Sequence, residues 1–156
     1  MKKRTLLLVG CLLLLSGCAA REYKVQPDAR SQYDFAKAKY DDGKYDDAVL
    51  EFQKVLFTHP GLSYLDSTQY WFAMSYYMRK DYHLAAAELR RLITSIPGSP
   101  LADDAQFMIG KAYLEAAPGN PGLDQSDTEA AIKELEAFLE DYPFSDRREE
   151  GLELLT

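Results

Sequence analysis

The chain has 156 residues, and its 25 acidic side chains against 18 basic ones leave a net charge of −7 at pH 7. That length suits one domain. The acidic balance argues against a nucleic-acid partner and against an electrostatic grip on anionic lipid.

Lys2, Lys3 and Arg4 precede an apolar run from Leu6 to Leu15 that only Gly10 and Cys11 interrupt. A basic start, a short apolar core and small residues at a cut site make a secretory signal. The core is too short to cross a bilayer as a mature helix. Leu15-Ser16-Gly17-Cys18 then reads as a bacterial lipobox. The Cys18 thiol takes a diacylglycerol, cleavage before Cys18 frees an amine for acylation, and two or more chains anchor stably where one does not. The alternative is an ordinary signal peptide that leaves Cys18 free. Residues 1–17 are thus expected to be a lipoprotein signal peptide and 18–28 a polar, lipidated tether. Ala19 stands where Asp would favour inner-membrane retention in enteric bacteria, which points to the outer membrane. Cleavage removes three of the 18 basic residues and no acid, for a mature charge of about −10. Cys11 leaves with the signal and Cys18 is modified, so no pair remains for a disulfide even in a compartment that permits one.

Downstream the chain repeats. Tyr45 and Tyr82, Ala48 and Ala85, and Pro60 and Pro97 are each 37 residues apart. A third copy places Ala131 and Pro143 a further 46 on, because nine residues have entered in the turn-rich stretch 117–125. Each copy reads as two amphipathic helices: 29–42 with 44–58, 66–80 with 82–95, and 101–116 with 126–141. Ser99-Pro100 is the expected N-cap and first helical position of the fifth helix, and Ser126 with Glu129 the expected capping box of the sixth. Pro60, Pro97 and Pro143 each close a second helix. Ala36, Ala73 and Gly110 share one position of the first helices, and Ala48, Ala85 and Ala131 one of the second. Phe52, Leu89 and Leu135 fill the space beside them. This small–large–proline pattern resembles the tetratricopeptide repeat. It predicts an all-α, right-handed solenoid of three helix pairs (29–62, 66–98 and 101–145) whose first helices line a concave face. Residues 146–156 read as the start of a fourth repeat, cut short.

The same register aligns Tyr33, Tyr70 and Phe107, and seven residues later Tyr40, Tyr77 and Leu114, with Lys37, Met74 and Lys111 between them. Residues four and seven apart share a helix face. The row is expected to form an aromatic and basic strip that binds an extended client segment, tyrosine giving contact area and a hydroxyl at low entropy cost. Lys37 and Lys111 would suit a client carboxylate. The alternative is that some of these aromatics pack the next repeat. The acid pairs Asp41-Asp42, Asp46-Asp47, Asp103-Asp104 and Glu149-Glu150 read as solvated turn and cap residues.

Nothing in the chain reads as catalytic. His59 and His83 have no partner at metal-ligand spacing, so no metal and no catalytic residue is expected. No nucleophile lies in a known motif, and Gly119 and Gly122 lack the strand and lysine of a phosphate loop. Trp71 reads as core or its edge. The only prosthetic group expected is the covalent lipid on Cys18.

A lipobox, a short tether and then tight helical repeats resemble the BamD family of outer-membrane assembly lipoproteins. Tyr40 to Ala48 with Phe52 is similar to its first repeat, Tyr76-Tyr77 with Asp81-Tyr82 and Ala85 to its second, and Asp124 to Thr128 leading to Tyr142-Pro143 to its loop-extended third. The resemblance implies a non-enzymatic subunit of the β-barrel assembly machine, lipid-anchored on the periplasmic face of the outer membrane. Its implied partners are the BamA-type barrel insertase, other assembly subunits and unfolded outer-membrane proteins received by their terminal strand. Two alternatives stay open: a periplasmic repeat protein of the Tol-Pal or cell-division type, and the repeat scaffold of a cell-wall enzyme whose catalytic part is missing.

Overall fold

A computed structural model describes residues 28–61 and 63–156. The signal peptide, the lipobox residues Leu15, Ser16, Gly17 and Cys18, and the tether up to Pro27 lie outside the described residues. Among the described residues there are seven helices and no strand: α1 (Ala29–Asp41), α2 (Tyr45–Thr58), α3 (Leu65–Met78), α4 (Tyr82–Ser95), α5 (Ala102–Ala116), α6 (Ser126–Asp141) and α7 (Arg148–Glu153). Each helix packs on its neighbours in sequence, and α1 also meets α3, so first helices lie side by side. This is the tetratricopeptide-like helical solenoid that the repeat predicts.

Local chemistry sets the helix limits. Asp28 caps α1: its carboxylate accepts from the Ser31 backbone N–H at 2.9 Å and from the Ser31 hydroxyl at 2.8 Å. Those two bonds hold the Asp28 carboxyl below its ordinary pKa. Gly43 ends the first helix at φ +73°, a left-handed conformation that lets its N–H reach the Tyr40 carbonyl at 2.9 Å. The equivalent turn after α3 places Lys80 at φ +68°, its N–H on the Tyr77 carbonyl at 2.9 Å. A side chain there costs about 1 kcal/mol that glycine would not.

Two helix starts differ from the sequence reading. The helix α5 begins at Ala102, with Leu101 and not Ser99 at its N-cap. Ser99 instead shapes the turn before it, its hydroxyl accepting from the Leu101 N–H at 3.1 Å. The capping box at Ser126 does not form either. Gln125 is the N-cap, the Asp124 carboxylate accepts from the Ser126 N–H at 3.0 Å, and the Thr128 hydroxyl donates to Gln125 Oε1 at 3.0 Å. Asp124, two residues before Ser126, takes the amide that Glu129 would have accepted from, and the Glu129 N–H goes to the Gln125 carbonyl at 3.0 Å.

The small residues do what close approach requires. Ala36, Ala48, Ala73 and Ala85 are fully buried, Ala131 nearly so, and Phe52, Leu89 and Leu135 fill the core beside them. A Cβ on Gly110 would sit 2.7 Å from Leu135 Cγ and 3.2 Å from the Leu135 backbone nitrogen, so α5 and α6 touch almost backbone to backbone. Val55, Leu92 and Phe138 form a further buried position in the same register.

Polar contacts repeat too, both between units and within them. The Ser99 hydroxyl donates to Asp66 at 2.9 Å, and Ser145 to Asp103 at 2.7 Å. The Gln69 amide donates to the Glu88 carboxylate at 2.7 Å, and Gln106 to Glu134 at 2.9 Å. Asp103 and Asp104, expected to be solvated, are therefore engaged: Asp103 by Ser145, and Asp104 by the Arg147 guanidinium. Ser145 opens the last unit as Ser99 opens the third, and α7 lies where a first helix would begin.

Candidate functional site

The first helices α1, α3 and α5 carry the expected strip. Tyr33, Lys37 and Tyr40 stand on α1, Tyr70, Met74 and Tyr77 on α3, and Phe107, Lys111 and Leu114 on α5. The structure divides this set by depth. Tyr33, Tyr40, Met74, Tyr77 and Leu114 are half-buried, with edges open to solvent. Tyr70 is only 8% exposed and Phe107 is fully buried, so these two are core residues and not contact residues. Phe107 meets Phe138 edge-on at 5.5 Å, and the Arg147 guanidinium covers it at 4.9 Å. For both, packing of the next unit is the physical outcome.

The accessible part is a seam of rings near the α1–α3 junction. Tyr33 meets Tyr64 edge-on at 5.2 Å, and the Arg30 guanidinium lies over both rings at 5.4 and 5.5 Å. Tyr40 tilts against Trp71 at 5.0 Å and meets Tyr45 at 5.5 Å. The Lys37 ammonium sits 4.3 Å from the centre of the Trp71 ring and 5.4 Å from that of Tyr40. Trp71 also meets Tyr70 edge-on at 5.5 Å, so it bridges the open seam and the core. Farther along, Tyr77 pairs with Tyr82 at 5.4 Å.

Burial disfavours the phenolate throughout. The Tyr33 and Tyr40 hydroxyls are raised above their usual pKa, and Tyr70 and Tyr77 are pushed up to about 12. All four are thus neutral hydroxyls at physiological pH, able to donate as well as accept.

The two lysines are not bare charges. Lys37 pairs with Asp41 one turn on, and Lys111 donates to Glu150 at 2.9 Å. Glu150 also accepts from Arg147 at 3.1 Å, and Lys111 first, then Arg147, holds its carboxyl below the ordinary range. The lysine side chains keep 27% and 31% exposure, so a competing carboxylate has access to each. Exposed pairs of this kind are worth at most about 1 kcal/mol, which a bound carboxylate can replace.

Arg30, Tyr64 and Trp71 belong to this seam; the sequence left Arg30 and Tyr64 unmarked and placed Trp71 in the core or at its edge. Tyr64 lies in a link and Trp71 is one residue off the aligned row, so helical register could not bring them in.

Residues 26–154 match the model of a protein family, YfiO, described as an outer membrane lipoprotein. The match spans the whole solenoid and begins after Cys18. No curated protein matches the chain.

Proposed function

The chain belongs to the YfiO family of outer membrane lipoproteins, and from that membership we propose that it is a non-catalytic scaffold of the β-barrel assembly machinery. In this reading Cys18 carries the lipid, the solenoid faces the periplasm, and the first two units receive unfolded outer-membrane proteins. The chain also engages the BamA-type insertase and other assembly subunits.

The observation that carries the reading is the seam of Tyr33, Tyr64, Tyr40 and Trp71 under Arg30 and Lys37. It offers aromatic edges to the alternating side chains of an extended segment. It also offers neutral tyrosine hydroxyls to that segment's backbone and two cations to its terminal carboxylate. Hot-spot aromatics cost more than about 1 kcal/mol when truncated. Tyr33→Ala with Tyr40→Ala is therefore expected to weaken a peptide of a barrel protein's last strand at least fivefold by fluorescence anisotropy, with the helical circular dichroism unchanged. Unaltered affinity in the folded double variant would remove the seam from the function. For the partners, the full-length lipoprotein is recovered from detergent-solubilised envelopes and its companions identified by mass spectrometry. The barrel insertase is expected. Tol-Pal or division proteins without the insertase would replace this reading.

A further inference from the structure

One edge of the solenoid differs from the rest. It collects the start of α1 and the links that follow each second helix. His59 lies within electrostatic reach of Asp28 at the start of α1. The Arg30 guanidinium lies over Tyr64 in the α2–α3 link. The Ser99–Asp66 and Ser145–Asp103 bonds tie the next two links to the helix starts beside them. Pro97, Gly98, Pro143 and Phe144 line one shallow hollow, so those links are neighbours.

This edge carries the two most exposed large hydrophobics among the described residues, Phe57 at 87% and Phe144 at 97%. Neither is a product of the repeat. The register places Thr94 and Glu140 where Phe57 stands, and Gly61 and Gly98 where Phe144 stands. The opposite edge carries Asp41, Asp42, Lys44, Asp46, Arg79 and Lys80 around its first two turns, and its exposed large hydrophobics are the less exposed Leu84 and Leu123, at 52% and 58%.

The chain enters α1 at the phenylalanine edge. Asp28 is ten residues on from Cys18, and an extended chain of that length spans at most about 35 Å. An acyl anchor at Cys18 therefore attaches at this edge, and the charged edge lies about 20 Å farther off along α1. We propose that the edge carrying Phe57 and Phe144 is a phospholipid contact surface, with the two rings entering the bilayer interface and holding the solenoid edge-on. The inference rests on the lipoprotein reading above. Asp141 and Asp146 are exposed on the same edge, and the mature charge is negative, so the contact is apolar and insensitive to salt.

The test places a tryptophan at each ring in turn in the full-length lipidated protein. Phe57→Trp, Phe144→Trp and, on the opposite edge, Leu84→Trp are reconstituted in zwitterionic vesicles whose acyl chains carry bromine, a contact quencher. Leu84 is 52% exposed, so all three sites tolerate the change. After subtraction of the Trp71 signal, Phe57→Trp and Phe144→Trp are expected to be quenched at least twice as strongly as Leu84→Trp, equally in low and high salt. Equal quenching at all three sites in vesicle-bound protein overturns the proposal. A wild type that does not float with vesicles would instead sink the lipoprotein reading. The edge is then read on mature chain bearing hexahistidine in place of Cys18, held on nickel-chelating vesicles, where the same ratio supports or overturns it.

Discussion

Glycine in the middle of a helix normally costs about 1 kcal/mol relative to alanine, so Gly110→Ala in α5 would be expected to stabilise. The structure predicts the reverse. The new methyl would lie 2.7 Å from Leu135 Cγ and 2.8 Å from its Cδ2, distances that packed carbons do not reach. Leu135 is 1% exposed, so it cannot turn out into solvent, and its backbone nitrogen stands only 3.2 Å away. The α5–α6 pair must open by several tenths of an ångström, and overpacking of this sort costs about 1–3 kcal/mol. Set against the propensity gain, the net is a destabilisation of up to about 2 kcal/mol, or a fall in Tm of up to about 8 °C for a domain of this size. Thermal denaturation followed by helical circular dichroism reads it. Gly98→Ala is the control, since a Cβ there meets nothing within 4 Å; it is expected to be neutral or slightly stabilising. A double-mutant cycle locates the cause: Leu135→Ala is expected to cost about 1 kcal/mol less in the Gly110→Ala background than alone, because there it also relieves the clash. A rise in Tm for Gly110→Ala, or additivity in the cycle, would refute the argument from backbone contact.

Two further outcomes follow from the contacts between units and from the buried tyrosines. Ser99→Ala and Asp66→Ala each break the same charge-assisted bond, so each should destabilise by about 1–2 kcal/mol and the pair by little more than either alone. Tyr70 and Tyr77 titrate near 12 in the fold against an ordinary 10, so the unfolded chain loses protons first. Stability is then intact below pH 10 and falls between pH 10 and about 12, and Tyr70→Phe should flatten part of that decline in urea melts.

The helices were legible because each carries its own punctuation. Gly43 permits the first turn, the three prolines close the second helices, and alanines at one register position declare where helices meet. The two starts read wrongly, at Ser99 and Ser126, failed for one reason. Several polar side chains stood within reach of the same amides, and sequence order does not say which lies closer. The binding strip was half legible. Its register was visible, but Phe107 and Tyr70 share that register with Tyr33 and differ from it only in what packs above them.

By itself the sequence determined the repeat, the pairing of the helices and the small residues at their contacts, because each follows from side-chain volume and spacing along a single strand of chain. Only the tertiary structure decided which of the aligned aromatics remain accessible. Phe107 is covered by Phe138 of its own unit and by Arg147 of the next, and Tyr70 is enclosed among its neighbours, whereas Tyr33 stands beside Phe52 of α2 and the link at Tyr64 and keeps an open edge. Equivalent positions in a solenoid differ by their neighbours along the stack, and that is set by the order of units in space, not by any pattern within one unit.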